Sequence, residues 1–572
     1  MDTLPTFDSS AALSTAPASN RGRRLSIQLA LLLLILLAGI VFRLRYFAAR
    51  ASFWRDEAFI VLNIRDHRAV ELIGPLEHGQ ASPPLFLFAE RAMAVAFGSG
   101  EFSLRAVPLV CGIAGLIAFS FLARRVLRAP AALCAIAMMA FAEKFILYSA
   151  EVKQYSGDVM MAVLLLLAAT ALGSKRDILG GFFSPSSGTP GEDGGGGRAS
   201  TDPLAPSPHP NPPPGYRRRG QDASPMFSGA TSGRSPVRRL ALASLLAAAG
   251  IWFSHASILV FGAIGLVLTL ASWRIGKRQA LQAIAVMLPF AISFVLLDLI
   301  SIRPQNTPWM HSYWIADFPD LRDPLSIPGW LLLRLYDLLG GAFPMIGPLL
   351  AIATLLGIFG LARARKYELL GLLIGPTVVA IIASLLQRYP FNSTRLTLFL
   401  LPQIFLLCGA GFEFLEGALP RRAAWAWWVM ATPIVAVGLG ISVSRFIQPH
   451  FRSHLRPAVA FVREHRQPGE AIYLTGMPAL IGPDPSRGRD LELLCYWPHP
   501  EPPFHELSRL NWPNVPERRF WVIFAFDPDR KNSWRDALMT DLHESATEQT
   551  HFIDPRGGAA YLFERGPRPA TQ

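Results

Sequence analysis

Two adjacent carboxylates, Asp56 and Glu57, are the residues of the chain best suited to chemistry. They lie in Phe53-Trp54-Arg55-Asp56-Glu57-Ala58, just past the first strongly apolar stretch. Charge near a bilayer is costly and commonly functional, so an acid pair at the lip of a span reads as a candidate site; the ordinary alternative is two solvated acids opening a loop helix. A carboxylate held there can act as a general base, taking the proton of a hydroxyl as its oxygen attacks. Further polar residues gather at the ends of later apolar runs. They are Tyr148-Ser149-Ala150-Glu151-Val152-Lys153-Gln154-Tyr155 with Asp158 beyond, Trp252-Phe253-Ser254-His255, the group Trp309, His311 and Trp314, and Arg388-Tyr389-Pro390-Phe391-Asn392-Ser393-Thr394-Arg395. Each has an ordinary explanation taken singly: Tyr and Trp sit in interface belts, His255 caps a helix, and Arg395 snorkels. Acid, imidazole, guanidinium and phenol from four separate loops point instead to one convergent site.

The elements that must position these groups are membrane spans. Of 572 residues 51% are hydrophobic and 17% charged, and the mean hydropathy is +0.32, which excludes an ordinary soluble enzyme. The net charge of +13 arises mainly from short Lys/Arg clusters between apolar runs, the pattern of the positive-inside rule rather than of a nucleic-acid groove. Cys111, Cys134, Cys408 and Cys495 have no metal-type spacing, and three lie in apolar runs, so neither a disulfide framework nor a zinc site is expected.

In chain order, 1–20 is an Ala/Ser/Thr/Pro-rich tail expected to be disordered. Leu25 to Phe42 is an uncleaved first span with its amino end inside. Arg43, Arg45 and Arg50 then fall on the outer side and oppose that orientation by charge, unless they serve an anionic ligand there. The run from Ser82 to Phe97 is too short to cross and carries Glu90 and Arg91. If it crossed, Arg124, Arg125, Arg128 and every later basic cluster would lie outside; laid along the outer interface, it puts them all inside. Spans are then expected at 105–123, 129–147, 156–173, 239–255, 257–272, 279–300, 344–362, 367–386, 396–415 and 423–445, about eleven with the first, and Pro328 to Phe343 is a second juxtamembrane or re-entrant piece. This gives an N-terminal membrane module over 21–183, a Gly/Pro-rich cytoplasmic insertion over 184–236 that lacks apolar side chains to bury, the remaining spans over 237–445, and a polar domain over 446–572 facing the Asp56 side. In that domain Arg456 to Arg466 and Ser533 to His543 read as helices, and Ala471 to Leu474, Phe520 to Phe526 and Ala559 to Phe563 as strands. No Gly-rich phosphate loop occurs there. The fold class is a polytopic α-helical membrane protein with a small C-terminal α/β soluble domain.

Several short motifs, in this order and membrane placement, resemble the GT-C glycosyltransferases, in particular the bacterial branch related to protein O-mannosyltransferases and the lipid A aminoarabinose transferase. They are the first span, Asp56-Glu57-Ala58, Ser82-Pro83-Pro84-Leu85-Phe86, Glu101-Phe102-Ser103-Leu104-Arg105-Ala106-Val107-Pro108, Tyr148 through Tyr155, the Arg-bearing segment Arg388 to Pro402, and the terminal domain. The resemblance covers most of the chain apart from 184–236. It implies inverting transfer of a sugar from a polyprenyl-phosphate carrier to an acceptor hydroxyl at the outer face of the bacterial inner membrane. Asp56 matches the family's first-loop acid and would be the base, with Glu57 orienting it or the acceptor. The departing phosphate needs preorganised donors. Arg395, Lys153 and His255 are the candidates, Arg45 or Arg50 would assist, and Tyr155 and Glu151 complete the substrate-binding set. Some relatives use a divalent metal, to which Glu151 or Asp158 would contribute; a third clear ligand is missing from the pattern. The implied partners are the lipid-linked donor, a glycan, lipid or protein acceptor, and the bilayer, with no nucleic acid.

Two other classes compete. A transporter or flippase of lipid-linked glycans would show paired repeats with helices broken near the midplane; here the short segments and the polar residues gather at the outer interface. An O-antigen ligase would show a large outer loop between late spans, which is not evident. Reporter fusions at Arg198 and Glu501 are expected to report opposite compartments; the same compartment for both would contradict the topology.

Overall fold

The computed structural model describes residues 18–171, 236–343, 345–391, 395–423, 425–450, 452, 454–475, 504–506, 515–525 and 533–566. The tail ahead of residue 18 and the insertion up to residue 235 lie outside the described residues, as does Cys495. The membrane part is a helical bundle: α1 (Ala18–Ala48), α2 (Arg55–Asp66), α3 (Pro84–Phe97), α4 (Glu101–Val126), α5 (Ala129–Phe141), α6 (Glu143–Tyr148), α7 (Tyr155–Ala171), α8 (Pro236–Gly250), α9 (Ala256–Ile275), α10 (Lys277–Ala285), α11 (Leu288–Leu297), α12 (Pro308–Tyr313), α13 (Ile327–Ala342), α14 (Gly347–Arg363), α15 (Tyr367–Leu385), α16 (Leu401–Ala418) and α17 (Ala426–Ile447).

Every expected span is helical, but among the described residues seven helices are long and apolar enough to cross a membrane, or eight if the pair 324–342 and 347–363, bent by 107°, counts as one span. Of the remainder, α7 and α8 border the residues outside the described ones, and a third is interrupted. The expected span 129–147 is broken at Ala142 into α5 and α6, and α5 is buried along most of its length. A helix enclosed by protein need not match the lipid thickness, and a break in it is tolerated where other groups satisfy the freed carbonyls. Arg43, fully buried, does so here: its guanidinium donates to Met139 O at 3.2 Å, Ala140 O at 3.3 Å and Gly39 O at 2.9 Å. Burial alone lowers the hydration of such a cation, and these carbonyls replace it. Arg45 lies over the Phe446 ring at 5.9 Å, and Arg50 pairs with Glu101 at 3.4 Å. Arg43, Arg45 and Arg50 are therefore engaged by the protein itself.

Helix α3 has fourteen residues, about 21 Å at 1.5 Å per residue, short of the hydrocarbon core. Helix α13 runs into α14 through the 107° bend. Helices α14 and α16 approach until their backbones touch. A Cβ on Gly411 would stand 2.2 Å from Ala353 O, and one on Gly357 would overlap Leu407 O, the close approach that small residues permit between membrane helices. Helix α16 follows directly on the segment carrying Arg395, so this contact fixes where that segment emerges.

The C-terminal domain adds α18 (Arg456–His465) and α19 (Ser533–Ser545) to strands β1 (Ala471–Thr475), β2 (Phe504–Glu506), β3 (Arg519–Ala525), β4 (Thr547–Asp554) and β5 (Gly558–Glu564). The sheet order is β2-β1-β3-β5-β4, parallel across β2-β1-β3 and antiparallel beyond. Alternation along β3 builds two cores: Phe520, Val522 and Phe524 pack with Leu538 and Leu542 of α19, while Trp521 and Ile523 pack with Ala458, Val459 and Val462 of α18. The three expected strands are present, and β2 and β4 join them.

Replacing Gly411 with alanine should force α14 and α16 apart, costing about 1–3 kcal/mol as overpacking does. A lower unfolding temperature than wild type in the same detergent is the expected readout.

Candidate active site

The first turn of α2 presents the acid pair. Glu57, at the third position of the helix, accepts the Trp54 N–H at 3.2 Å, the reciprocal half of a capping box, and both acids face the positive end of the helix dipole. The two carboxylates then part company. Glu57 is fully buried. It takes a two-pronged bond from Arg105 Nε and Nη2 at 2.9 and 2.6 Å and the Val152 N–H at 2.8 Å. Arg105 also donates to Ala51 O at 2.6 Å and Ser52 O at 3.1 Å. Glu57 thus frames the loop and does not open on the main cavity.

Asp56 does. It lines a cavity of about 240 Å³ together with Lys153, Tyr155, Asp158, His255 and Arg395. Of the seven residues given catalytic or substrate-binding roles from the sequence, five (Asp56, Lys153, Tyr155, His255 and Arg395) meet here, from α2, the α6–α7 loop, the start of α7, the α8–α9 loop and the α15–α16 loop. Arg395 forms an ion pair with Asp56, and its guanidinium lies 5.2 Å from the centre of the Trp314 ring. His311 and Trp314 line the same cavity. A planar guanidinium between a carboxylate and an aromatic face is held in both distance and plane.

Lys153 donates to Gln80 Oε1 at 2.7 Å. Burial draws its ammonium down to about 8, against the opposing pull of Asp56. It therefore still carries its charge at neutral pH. Tyr155 meets Tyr148 edge to face at 5.1 Å. Asp158 accepts the Ser254 hydroxyl at 2.6 Å, which fixes the loop ending at His255; Trp252 O accepts the Leu85 N–H at 2.8 Å and ties that loop to α3. Burial pushes the His255 imidazole down to about 4, and its Nε2 is buried without a hydrogen-bond partner among the described residues. A neutral ring offers this cavity a hydrogen bond rather than the positive charge expected of a phosphate ligand.

Glu151 lies apart, with Glu57, Arg105 and Arg452, at a small neighbouring cavity of about 30 Å³. It pairs with Arg452 at 3.0 Å, and burial raises its carboxyl to about 7 against the pull of that arginine. Asp158 and Glu151 thus serve different surroundings. Among the described residues no group of three or more His, Cys, Asp or Glu is placed to hold a metal ion, so no step is routed through one.

Sequence reasoning overlooked Gln80, Gln305, Arg105 and Arg452 as parts of this region. Gln305 accepts the Ser82 N–H at 3.0 Å and donates to Gly74 O at 3.2 Å, fastening the loop that carries Gln80. Arg105 had a readable signal, a guanidinium inside an apolar helix; an amide in a loop has none.

No family model and no curated protein sequence matches the chain. Among solved structures it is similar to ArnT from Cupriavidus metallidurans bound to undecaprenyl phosphate, with 14% identity and a TM-score of 0.44 over 96% of this chain and 98% of that one. The apo state of the same protein gives 13% and 0.43 over 95% and 98%. It is also similar to the oligosaccharyltransferase AglB from Archaeoglobus fulgidus in complex with an inhibitory peptide and a dolichol-phosphate, with 11% identity and a TM-score of 0.41 over 78% of this chain and 62% of that one. At such identities and scores the functional reading has to come from the residues of the cavity.

If Lys153 meets an anionic ligand, the ligand raises its pKa, so the contribution of Lys153 to affinity is full below about 8 and is lost as pH rises through it. Titrating the binding of a lipid phosphate from pH 7.5 to 10, above the second ionisation of the phosphate itself, should show that decline in wild type, and Lys153→Arg should abolish it.

Proposed function

We propose that the chain transfers a sugar from a polyprenyl-phosphate carrier to an acceptor hydroxyl, with inversion, at the outer face of the membrane. The observation that carries this reading is the Asp56–Arg395 ion pair within the cavity: a candidate base and a candidate phosphate ligand, from opposite parts of the chain, at one point. The resemblance of the sequence motifs to the GT-C glycosyltransferases supports the same reaction class.

In this mechanism the carrier phosphate enters between Arg395 and Lys153 and replaces the Asp56 carboxylate at the guanidinium. Arg395 suits the task because its fork matches two phosphate oxygens. Asp56, released, faces the acceptor. The acceptor oxygen attacks the anomeric carbon and its proton passes to Asp56. The bond from the anomeric carbon to the phosphate oxygen breaks, and its electron pair stays on the phosphate, where the Arg395 and Lys153 charges meet it. The neutral His255 and the amide of Gln80 supply hydrogen bonds to uncharged hydroxyls, and Trp314 supplies an apolar face. Displacement from the side opposite the phosphate inverts the anomeric carbon.

Asp56→Asn is expected to lower kcat by roughly a hundred- to ten-thousand-fold, the usual worth of a general base. Carrier affinity should be equal or greater, because the competing carboxylate is gone from Arg395. Arg395→Ala should weaken carrier binding and turnover together, since the phosphate is charged before the reaction and more so during it. Kinetics with a radiolabelled polyprenyl-phosphate sugar and binding of undecaprenyl phosphate separate the two. Near wild-type turnover by folded Asp56→Asn protein would overturn the assignment of the base.

A further inference from the structure

The segment joining the last membrane helix to the C-terminal domain does more than connect them. Two of its residues and the first residue of α18, spaced by two, all reach the loop that presents Asp56. The Arg452 guanidinium lies 4.2 Å from the centre of the Trp54 ring and 5.7 Å from that of Tyr148, while pairing with Glu151 at 3.0 Å. His454, 2% exposed, accepts the Ser52 N–H on Nδ1 at 3.2 Å, with the Ser52 hydroxyl at the same distance. Arg456 donates its N–H to Ser52 Oγ at 3.1 Å, and its guanidinium donates to Glu101 at 2.7 Å and to Arg50 O at 3.1 Å. From the other side, Arg105 holds Ala51 O and Ser52 O. Arg50 itself is in a left-handed conformation, φ 50°, which a non-glycine residue adopts only when its surroundings hold it there.

The C-terminal sheet is seated on the same residues. His454 donates its N–H to Gly557 O at 3.3 Å, and a Cβ on Gly558 would stand 2.4 Å from His454 O, so the β4–β5 turn lies directly on the segment. Burial, with Arg556 nearby, draws the His454 imidazole down to about 4, consistent with a neutral ring accepting on Nδ1.

We propose that Arg452, His454 and Arg456 are positioning residues, through which the C-terminal domain holds the Arg50–Trp54 loop so that Asp56 meets the acceptor. The inference rests on the transfer reading for its kinetic arm alone. Arg395, assigned to the carrier phosphate, lies on a different loop, so the segment acts on kcat more than on carrier affinity. A misplacement of about 1 Å in a catalytic group commonly costs on the order of a hundredfold.

The test uses the full-length protein in lipid nanodiscs: wild type, His454→Ala, His454→Asn and Arg452→Ala. Hydrogen–deuterium exchange over 50–57 is measured alongside kcat, undecaprenyl phosphate affinity and thermal unfolding. The expected result is faster exchange in that loop and a kcat lower by about tenfold or more in His454→Ala and Arg452→Ala, with carrier affinity within about twofold of wild type. His454→Asn, whose side-chain oxygen can still accept the Ser52 N–H, should restore most of both. Unchanged exchange and kcat in folded His454→Ala would overturn the proposal, as would equal losses in the alanine and asparagine variants. If wild type itself transfers no sugar, the transfer reading fails and the exchange arm alone decides the positioning role.

Discussion

Charges taken out of water beside a membrane need partners of opposite sign, and the structure is organised by how it provides them. Asp56 and Arg395 are 339 residues apart in sequence and each about one-eighth exposed. Each offsets part of the cost of taking the other out of water. Their pairing brings α2 and the α15–α16 loop to one point, and the cavity is the space left around it. The same constraint bears on the proposed reaction: an incoming phosphate would take the place of the carboxylate at Arg395, and the freed carboxylate would be neutralised by the proton it accepts.

The neighbouring carboxylate shows the opposite use of the same chemistry. Glu57, one residue on, is saturated by Arg105, by the Val152 N–H and by the Trp54 N–H. No ligand could reach it without dismantling the loop. Its bond to Val152 fixes the backbone next to Lys153, so one buried acid sets the positions of both the proposed base and a proposed phosphate ligand. Arg452 and Glu151 repeat the motif a few residues away and carry it to the C-terminal domain. The domain is therefore continuous with the site through hydrogen bonds, not tethered beside it.

Much of this was legible in the sequence because membranes make polar residues conspicuous. Asp56, Lys153, Tyr155, His255 and Arg395 each stand at the end of an apolar run, and the run fixes the end of the molecule to which they belong. Residue type and spacing did not say which acid would face the cavity, since adjacent residues on a helix point about 100° apart; only the family resemblance singled out Asp56. Arg452 and His454 gave no signal: they lie in a polar stretch where charged residues are ordinary, and their partners are some 300 to 400 residues away. In the terminal domain β3 was plain from its continuous apolar run. The strand Thr547–Asp554 was not, because as an edge strand it exposes every second residue and carries polar side chains; Phe504–Glu506, with three residues, is too short to show any period.

The central claim is that a bond to the carrier phosphate is broken here. The most direct measurement supplies purified protein in sealed vesicles with polyprenyl-phosphate sugars labelled in both the lipid and the sugar. The account predicts that label appears in free polyprenyl phosphate and in glycosylated acceptor in equal amounts. Movement of the intact lipid-linked sugar between leaflets, with no free polyprenyl phosphate formed, would contradict it and identify a transporter instead.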